Sequence, residues 1–109
     1  MAGTFNAKVL AEGQLPTSKT ALYTVPASTV AYVKLFDMLN TNAAQQTIII
    51  YLNTAGTSRS YGRAILEINE FASVLSDSET IELQAGDTIE AQTTTASAVD
   101  YTITGVEET

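Results

Sequence analysis

Residues that favour turns recur at short intervals along this 109-residue chain, and the segments between them are long enough only for short strands. In those segments Val, Ile, Tyr and Phe alternate with polar residues, and Thr is the commonest residue with 17 copies. β-Branched and aromatic side chains pack well on a pleated surface. This pattern predicts many short strands in a sandwich or barrel rather than βαβ units. The turn signals are Gly13, Pro16, Pro26, Asn40–Asn42, Asn53–Gly56, Ser76–Ser78, Gly86–Asp87 and Ala96–Ser97.

We predict an all-β fold, a single compact antiparallel β-sandwich of jelly-roll or immunoglobulin-like type with about eight short strands. Residues 1–109 form one domain, because a chain of this length can bury one hydrophobic core and is too short for two. The strands are predicted at 5–11, 20–25, 29–39, 47–52, 61–68, 79–84, 88–94 and 99–106. The period-2 alternation predicts a core of Val25, Phe36, Ile48, Ile50, Leu52, Ile81, Leu83, Ile89, Val99, Tyr101 and Ile103.

Two segments depart from simple alternation. In 30–39 apolar residues occupy both even and odd positions, so simple alternation cannot place them all on one face. A bulge near Val33–Leu35 would turn Phe36 and Met38 inward and Lys34 outward. In 64–75 apolar residues recur at helical spacing, which favours a strand through Leu66 followed by a short helical turn. Gly86-Asp87 is typical of a hairpin turn between the strands on either side.

The composition argues against most enzymes. The chain has no Cys and no His, which excludes disulfides, thiolate metal sites and the usual general base. Acidic clusters such as Asp77, Glu79 and Glu82 have the spacing of turns and outward strand positions, and Ser76–Glu79 lacks the pattern of a calcium loop. We therefore expect no catalytic residue, no cofactor and no metal site.

Charge is distributed unevenly along the chain. Residues 1–63 hold all five basic residues and two acidic ones, whereas residues 64–109 hold ten acidic residues and no basic one. A net charge of −7 argues against binding to nucleic acid, and no apolar run approaches the length of a membrane span. The acidic half is either a solvated surface or a region that meets the basic half of a neighbouring copy.

Two sets of residues are candidates for an interface. If Ile48 and Ile50 face the core, Ile49 and Tyr51 face outward and suggest a contact surface; the alternative is a strand that is buried on both faces. Lys8 and Lys19 lie in the N-terminal region, where residues 1–8 are predicted to form an arm that orders on a partner. A frayed terminus without a role is the alternative for this arm.

Several stretches, taken in order, resemble a pattern in small virion proteins of tailed bacteriophages. The resemblance covers most of residues 20–107 and departs from the pattern at 64–75. It implies a β-sandwich on the phage particle, of the head decoration or cement type or a small tail component, and it implies no catalytic residue. The matching stretches are Thr20–Ala27, Val30–Lys34, Asn40-Thr41, Glu79–Leu83, Ala85–Ile89 and Ala98–Glu107.

The resemblance and the composition together lead us to expect a capsid decoration protein. Such a protein would stabilise the phage head by bridging subunits of the major capsid protein. We expect a homo-oligomer, most simply a trimer, on the outer surface of the head after synthesis in the host cytoplasm. The alternatives are a tail, neck or fibre component of the virion, or a module that binds a carbohydrate or host receptor.

Overall fold

The computed structural model describes residues 3–75 and 79–109, and these residues form nine β-strands. No helix is present in that part of the chain, in agreement with the predicted all-β class. The strands are β1 (Phe5–Gln14), β2 (Thr20–Thr24), β3 (Val30–Asn40), β4 (Gln46–Thr54), β5 (Thr57–Leu66), β6 (Phe71–Ser73), β7 (Ile81–Leu83), β8 (Thr88–Thr93) and β9 (Val99–Glu108).

The strands form two antiparallel sheets with the core between them. Sheet A has the order β1-β9-β3, and both β6 and β7 pair with the remaining edge of β3; sheet B has the order β2-β8-β4-β5. β6 pairs with Asp37–Leu39 and β7 with Ala31–Val33, so these two short strands share one strand position. When β6 and β7 are counted as one strand, the strand orders of the two sheets are those of a jelly roll. The fold is therefore the jelly-roll alternative and not the immunoglobulin-like one.

The core follows the predicted period-2 alternation. Along β9, Val99, Tyr101 and Ile103 are buried, and the ring of Tyr101 lies 6.4 Å from that of Phe36. All eleven predicted core residues lie in the core or at its edge. Nine of them are buried, while Leu52 and Ile81 are partly buried against the others.

The predicted bulge in β3 is confirmed. The register of β3 against β9 shifts between Val33 and Leu35. Phe36 and Met38 are buried, and Lys34 points outward and is exposed. The extra residue restores the alternation that the sequence interrupts, because it lets both large side chains face the core.

The helical turn predicted within 64–75 is wrong. β5 ends at Leu66 as expected, and a tight turn with a hydrogen bond from Glu70 N–H to the Glu67 carbonyl then leads into β6. Ile68 and Phe71 are more than half exposed instead of lining a helix face. The free edge of β3 offers hydrogen-bond partners to this segment, and a strand satisfies them where a short helix would not.

The turn at Gly86-Asp87 connects the two sheets and does not close a hairpin, contrary to the prediction. β7 pairs in sheet A and β8 in sheet B. The Asp87 carboxylate fixes this crossing, since it accepts hydrogen bonds from the N–H groups of Gln84 at 2.9 Å and Ala55 at 3.2 Å. Gly86 has φ +88°, a value that favours glycine.

Asn40 holds two loops together at one end of the sandwich. Its side chain is fully buried, and its Nδ2 donates to the carbonyl oxygens of Ala44, Leu66 and Glu67, each at 3.0 Å. Its Oδ1 accepts the N–H of Asn42 at 2.9 Å. The connection after β3 and the connection after β5 are therefore fixed to each other through one amide.

Candidate interaction surfaces

Ile49 and Tyr51 lie on the outer face of sheet B, which we call face B. Their neighbours on β4, Ile48 and Ile50, are buried, so the outward orientation is confirmed. The alternative of a strand buried on both faces does not hold, although both side chains are half-buried among their neighbours on the face. Tyr51 contributes its hydroxyl to a long hydrogen bond of 3.4 Å with Oε1 of Gln92 on β8.

Basic side chains flank this pair on face B. The Lys19 ammonium lies 4.6 Å from the centroid of the Tyr51 ring, within the range of a cation–π contact. Arg63 is exposed and opposes Ile49 across β5 and β4. Among the described residues, Glu90 is the carboxylate on the strands of face B and accepts a hydrogen bond from a serine on β5. Glu79, in the connection before β7, lines a depression together with Arg63. Face B is therefore a mildly basic surface on an acidic protein.

Lys8 lies on β1 of sheet A and does not contribute to face B. Its ammonium forms an ion pair with Glu107 at 3.3 Å, at the edge of the space between the sheets. Glu107 also accepts a 2.5 Å hydrogen bond from the Tyr23 hydroxyl on β2. The four predicted interface residues thus separate into a group of three on face B and one lysine in an internal contact.

The phenol of Tyr23 is held in its neutral form. Burial raises the pKa of Tyr23 well above its usual value, and the hydrogen bond to the Glu107 carboxylate raises it further. The pKa of Tyr32 is raised as well, chiefly by the hydrogen bond that its hydroxyl donates to Glu108 at 2.8 Å. These tyrosines are therefore structural donors to adjacent carboxylates near the end of β9.

Residues 5–8 do not form the predicted free arm. They are the first part of β1 and pair with β9, where Phe5 opposes Glu108 and Lys8 opposes Gly105. The backbone of Thr4 also exchanges two 3.0 Å hydrogen bonds with Thr109. A β-ladder satisfies backbone groups that a solvated arm would leave to water, so the extended segment is recruited to the sheet.

The outer face of sheet A, face A, carries an apolar surface that lies apart from the four predicted interface residues. Strand register places three rows of three residues side by side across β1, β9 and β3. Seven of these nine positions are apolar or aromatic, and the other two are Thr104 and Glu108. We call the seven the apolar grid: Phe5, Ala7 and Val9 on β1, Val106 on β9, and Val30, Tyr32 and Leu35 on β3.

The apolar grid is open to solvent along its β1 side. Phe5 is 64% exposed, Val9 48% and Leu35 38%. The alternation of Phe5, Ala7 and Val9 was visible in the sequence, but the partner strands were needed to show that these residues join others on β9 and β3. A single sequence shows which side chains of one strand share a face, but it does not show the register between strands.

The other end of face A forms a shallow acidic groove. Its apolar part is Leu39 and Phe71, which are direct cross-strand partners and are 38% and 59% exposed. Asp37 and Asp100 line its sides, and the groove has a volume of about 270 Å³. The Asp37 carboxylate accepts a hydrogen bond from the Ser73 hydroxyl at 2.6 Å.

The fold redistributes the charge that is uneven along the sequence. The acidic strands β8 and β9 each lie between two strands from the basic half of the chain, so the two halves do not form two separate regions. The predicted contact between the basic half of one copy and the acidic half of another stays a prediction, but the two halves are not two separate surfaces of the fold. Charge instead differs between faces: among the described residues, face A carries five acidic side chains and Lys34, and face B carries Lys19, Arg63 and Glu90.

Within residues 3–75 and 79–109, no group of three or more acidic side chains is close enough to hold a metal ion. Of the calcium candidate Ser76–Glu79, residues 76–78 lie outside the described residues. The described chain also contains no helix that could cross a membrane.

No family model and no curated protein matches this sequence. One solved structure is similar in fold: that of a Bacillus endospore appendage, described as a member of a novel family of disulfide-linked pili. The similarity covers 100% of this chain and 91% of the appendage chain, with a TM-score of 0.54 and 16% sequence identity. At this identity the similarity shows a shared fold over the whole length of the chain.

Proposed function

We propose that this protein is a structural component of a tailed-phage particle, a decoration protein that binds the outer surface of the head. The observation that carries the proposal is the apolar grid on face A, which exposes several large side chains on neighbouring strands. Contiguous apolar surface of this kind marks a site of protein contact. The sequence resemblance to small phage virion proteins supplies the class of particle.

The grid suits a contact with a rigid protein surface. Its side chains project from three hydrogen-bonded strands, so little conformational freedom is lost on binding. Tyr32 is held in place by its hydrogen bond to Glu108, which leaves the ring as part of the apolar surface. The partner we propose is the major capsid protein, at a junction where one decoration protein touches more than one subunit.

The proposed role is to stabilise the assembled head thermodynamically. A protein that binds the assembled shell and not the separated subunits lowers the free energy of the shell by mass action, and so opposes disassembly. This role requires no catalytic residue, cofactor or metal ion, and we propose that the protein is not an enzyme. A homotrimer on the head is part of the proposal, because neighbouring copies could then present several grids to one junction.

A fibre or tail component is a second candidate, and the shared fold with an endospore pilus subunit favours it. Pili are polymers of small subunits, and a jelly roll with unpaired edge strands on both sides can pack against copies of itself. Disulfide linkage cannot be part of such an assembly here, because the chain contains no Cys. A fibre of this protein would depend on non-covalent contacts.

Binding to capsids that lack the protein tests the role of the grid. Val9→Glu and Leu35→Glu each place a carboxylate in the grid, and we expect each to weaken binding in co-sedimentation at least about tenfold. Thr57→Glu is the matched control, since it introduces the same charge at an exposed position at the start of β5, away from the apolar grid and from Arg63. Equal binding by the grid variants and the control would contradict the proposed contact.

A further inference from the structure

We infer that two copies of this protein bind each other through unlike surfaces: the acidic groove of face A on one copy receives face B of the next, around Arg63. The inference goes beyond the proposed function, because it concerns contact between copies and does not need the capsid. It is carried by complementary charge and complementary apolar surface on the two faces. The apolar grid lies at the other end of face A and is left for the particle.

The acidic groove has the features of a surface that is completed by a partner. Leu39 and Phe71 form an apolar floor that is open to solvent. Asp37 and Asp100 stand beside this floor, and each is oriented by a hydrogen bond from a neutral side chain. No ion pair to either carboxylate is formed within the described residues, so both are available to a cation from outside.

Face B supplies the cation. Arg63 lies beside a depression of about 310 Å³ that it lines together with Ile49 and Tyr61, and Tyr61 is 42% exposed. The guanidinium forms no ion pair with any residue that the structure describes. A guanidinium can bridge two carboxylates through its planar set of donors, which a point charge does less well. Ile49 and Tyr61 would then pack on Leu39 and Phe71.

The charges favour an unlike pair of faces over a symmetric pair. Two acidic grooves would bring four aspartates together, and two copies of face B would bring two arginines and two lysines to one interface. Like charges in direct contact are unfavourable, whereas the unlike arrangement pairs opposite charges at every copy. The molecule measures 51 × 26 × 21 Å, and the half of face A around the groove is of the order of the smaller, transient class of protein interfaces.

A contact between unlike surfaces leaves one free groove and one free face B at the ends of any open assembly. It therefore closes into a ring if the rotation between copies allows, or continues as a fibre. A ring of three would be the trimer proposed for the head, and an open chain would be the fibre of the second candidate. The same contact serves either function.

Charge reversal in purified protein tests the contact without any particle. Sedimentation velocity should show that the wild type self-associates, more strongly at low salt. Arg63→Glu and the double variant Asp37→Lys with Asp100→Lys should each weaken self-association about tenfold or more. Arg59→Glu is the control, since it makes the same charge change on β5 at an exposed position that opposes Leu52, an inward-facing residue.

Mixing the two charge-reversed proteins is the decisive step. The carboxylate introduced by Arg63→Glu would face the lysines introduced by the double variant, so the mixture should form complexes that neither protein forms alone. The acidic groove is unaltered in the Arg63→Glu protein, and face B is unaltered in the double variant, so these two surfaces can also bind each other. The two proteins should therefore alternate, in equal numbers, in a dimer, a fibre or an even-membered ring, whereas a mixed ring of three must contain one unmatched contact.

Three results would each overturn the inference. They are a wild type that stays monomeric up to about 1 mM, an Arg63→Glu variant that associates like Arg59→Glu, and a mixture of the two charge-reversed proteins that stays monomeric. None of these results decides whether the apolar grid binds the capsid, because the Val9→Glu and Leu35→Glu variants test that contact separately.

Discussion

The Tyr23 hydroxyl and the Glu107 carboxylate share a 2.5 Å hydrogen bond that joins the two sheets of the sandwich. Tyr23 lies on β2 of sheet B and Glu107 on β9 of sheet A, and both are buried. Lys8 adds a third partner from β1. A polar contact therefore joins β1, β2 and β9 at this side of the sandwich, beside the apolar packing of Leu10, Leu15 and Leu22.

Tyr23→Phe should lower the free energy of unfolding by about 1.5–3 kcal/mol. The change removes the donor to a buried carboxylate, and a hydrogen bond to a charged group has this magnitude. Tyr32→Phe is the control, because it removes the same atom from a less buried pair with Glu108 and should cost less. Urea unfolding followed by circular dichroism measures the free energy of unfolding of both variants. Equal decreases in the two variants would contradict the claim that burial strengthens the hydrogen bond of Tyr23.

Stability should fall as the pH rises above about 10, the pKa of an unperturbed tyrosine. The pKa of Tyr23 is raised by burial and by Glu107, so above pH 10 the unfolded chain loses its phenolic proton while the folded protein retains it. The unfolded state then binds fewer protons, and the slope for this residue is a loss of about 1.4 kcal/mol per pH unit. Tyr23→Phe should have a shallower slope between pH 10 and 11 in urea titrations. An unchanged slope would exclude Tyr23 as its source.

Ile50→Ala should cost about 2–5 kcal/mol, as expected for a large buried aliphatic side chain. Ile50 is 3% exposed and faces the core from β4. Ile65→Ala removes the same atoms from the outer face of β5, where the side chain is 52% exposed, and should cost much less. Chemical denaturation of the two variants compares a core position with a surface position of the same residue type.

Removal of residues 1–8 should destabilise the protein much more than removal of residues 1–4, which takes away the two backbone hydrogen bonds between Thr4 and Thr109. The longer deletion takes away the first part of the ladder between β1 and β9 and the ion pair of Lys8 with Glu107. The shorter deletion leaves β1 intact. Thermal unfolding of both truncated proteins tests this, and equal melting temperatures would restore the interpretation of residues 1–8 as an arm.

Features that depend on a single strand can be predicted from the sequence. The alternation of β9, the bulge at Lys34 and the outward orientation of Ile49 and Tyr51 follow from the parity of side chains along a strand. Each of these predictions is confirmed by the structure.

Features that depend on which strands are neighbours were not predictable in the same way. The segment after Leu66 has helical spacing, and only the free edge of β3 explains why it becomes a strand. Asn40 gave no signal of its fully buried amide network. The apolar grid and the acidic groove each combine residues that are far apart in sequence, so they appear only when the register is known.

The copy number of this protein in purified phage particles tests the central proposal most directly. Particles isolated from cultures that produce the protein would be analysed by quantitative mass spectrometry, with the major capsid protein as the internal reference. A head decoration protein should be present in a fixed ratio to the capsid protein that is of the same order, because its sites repeat with the shell. A few copies per particle would instead indicate a tail or neck component, and absence of the protein from the particles would contradict the proposal.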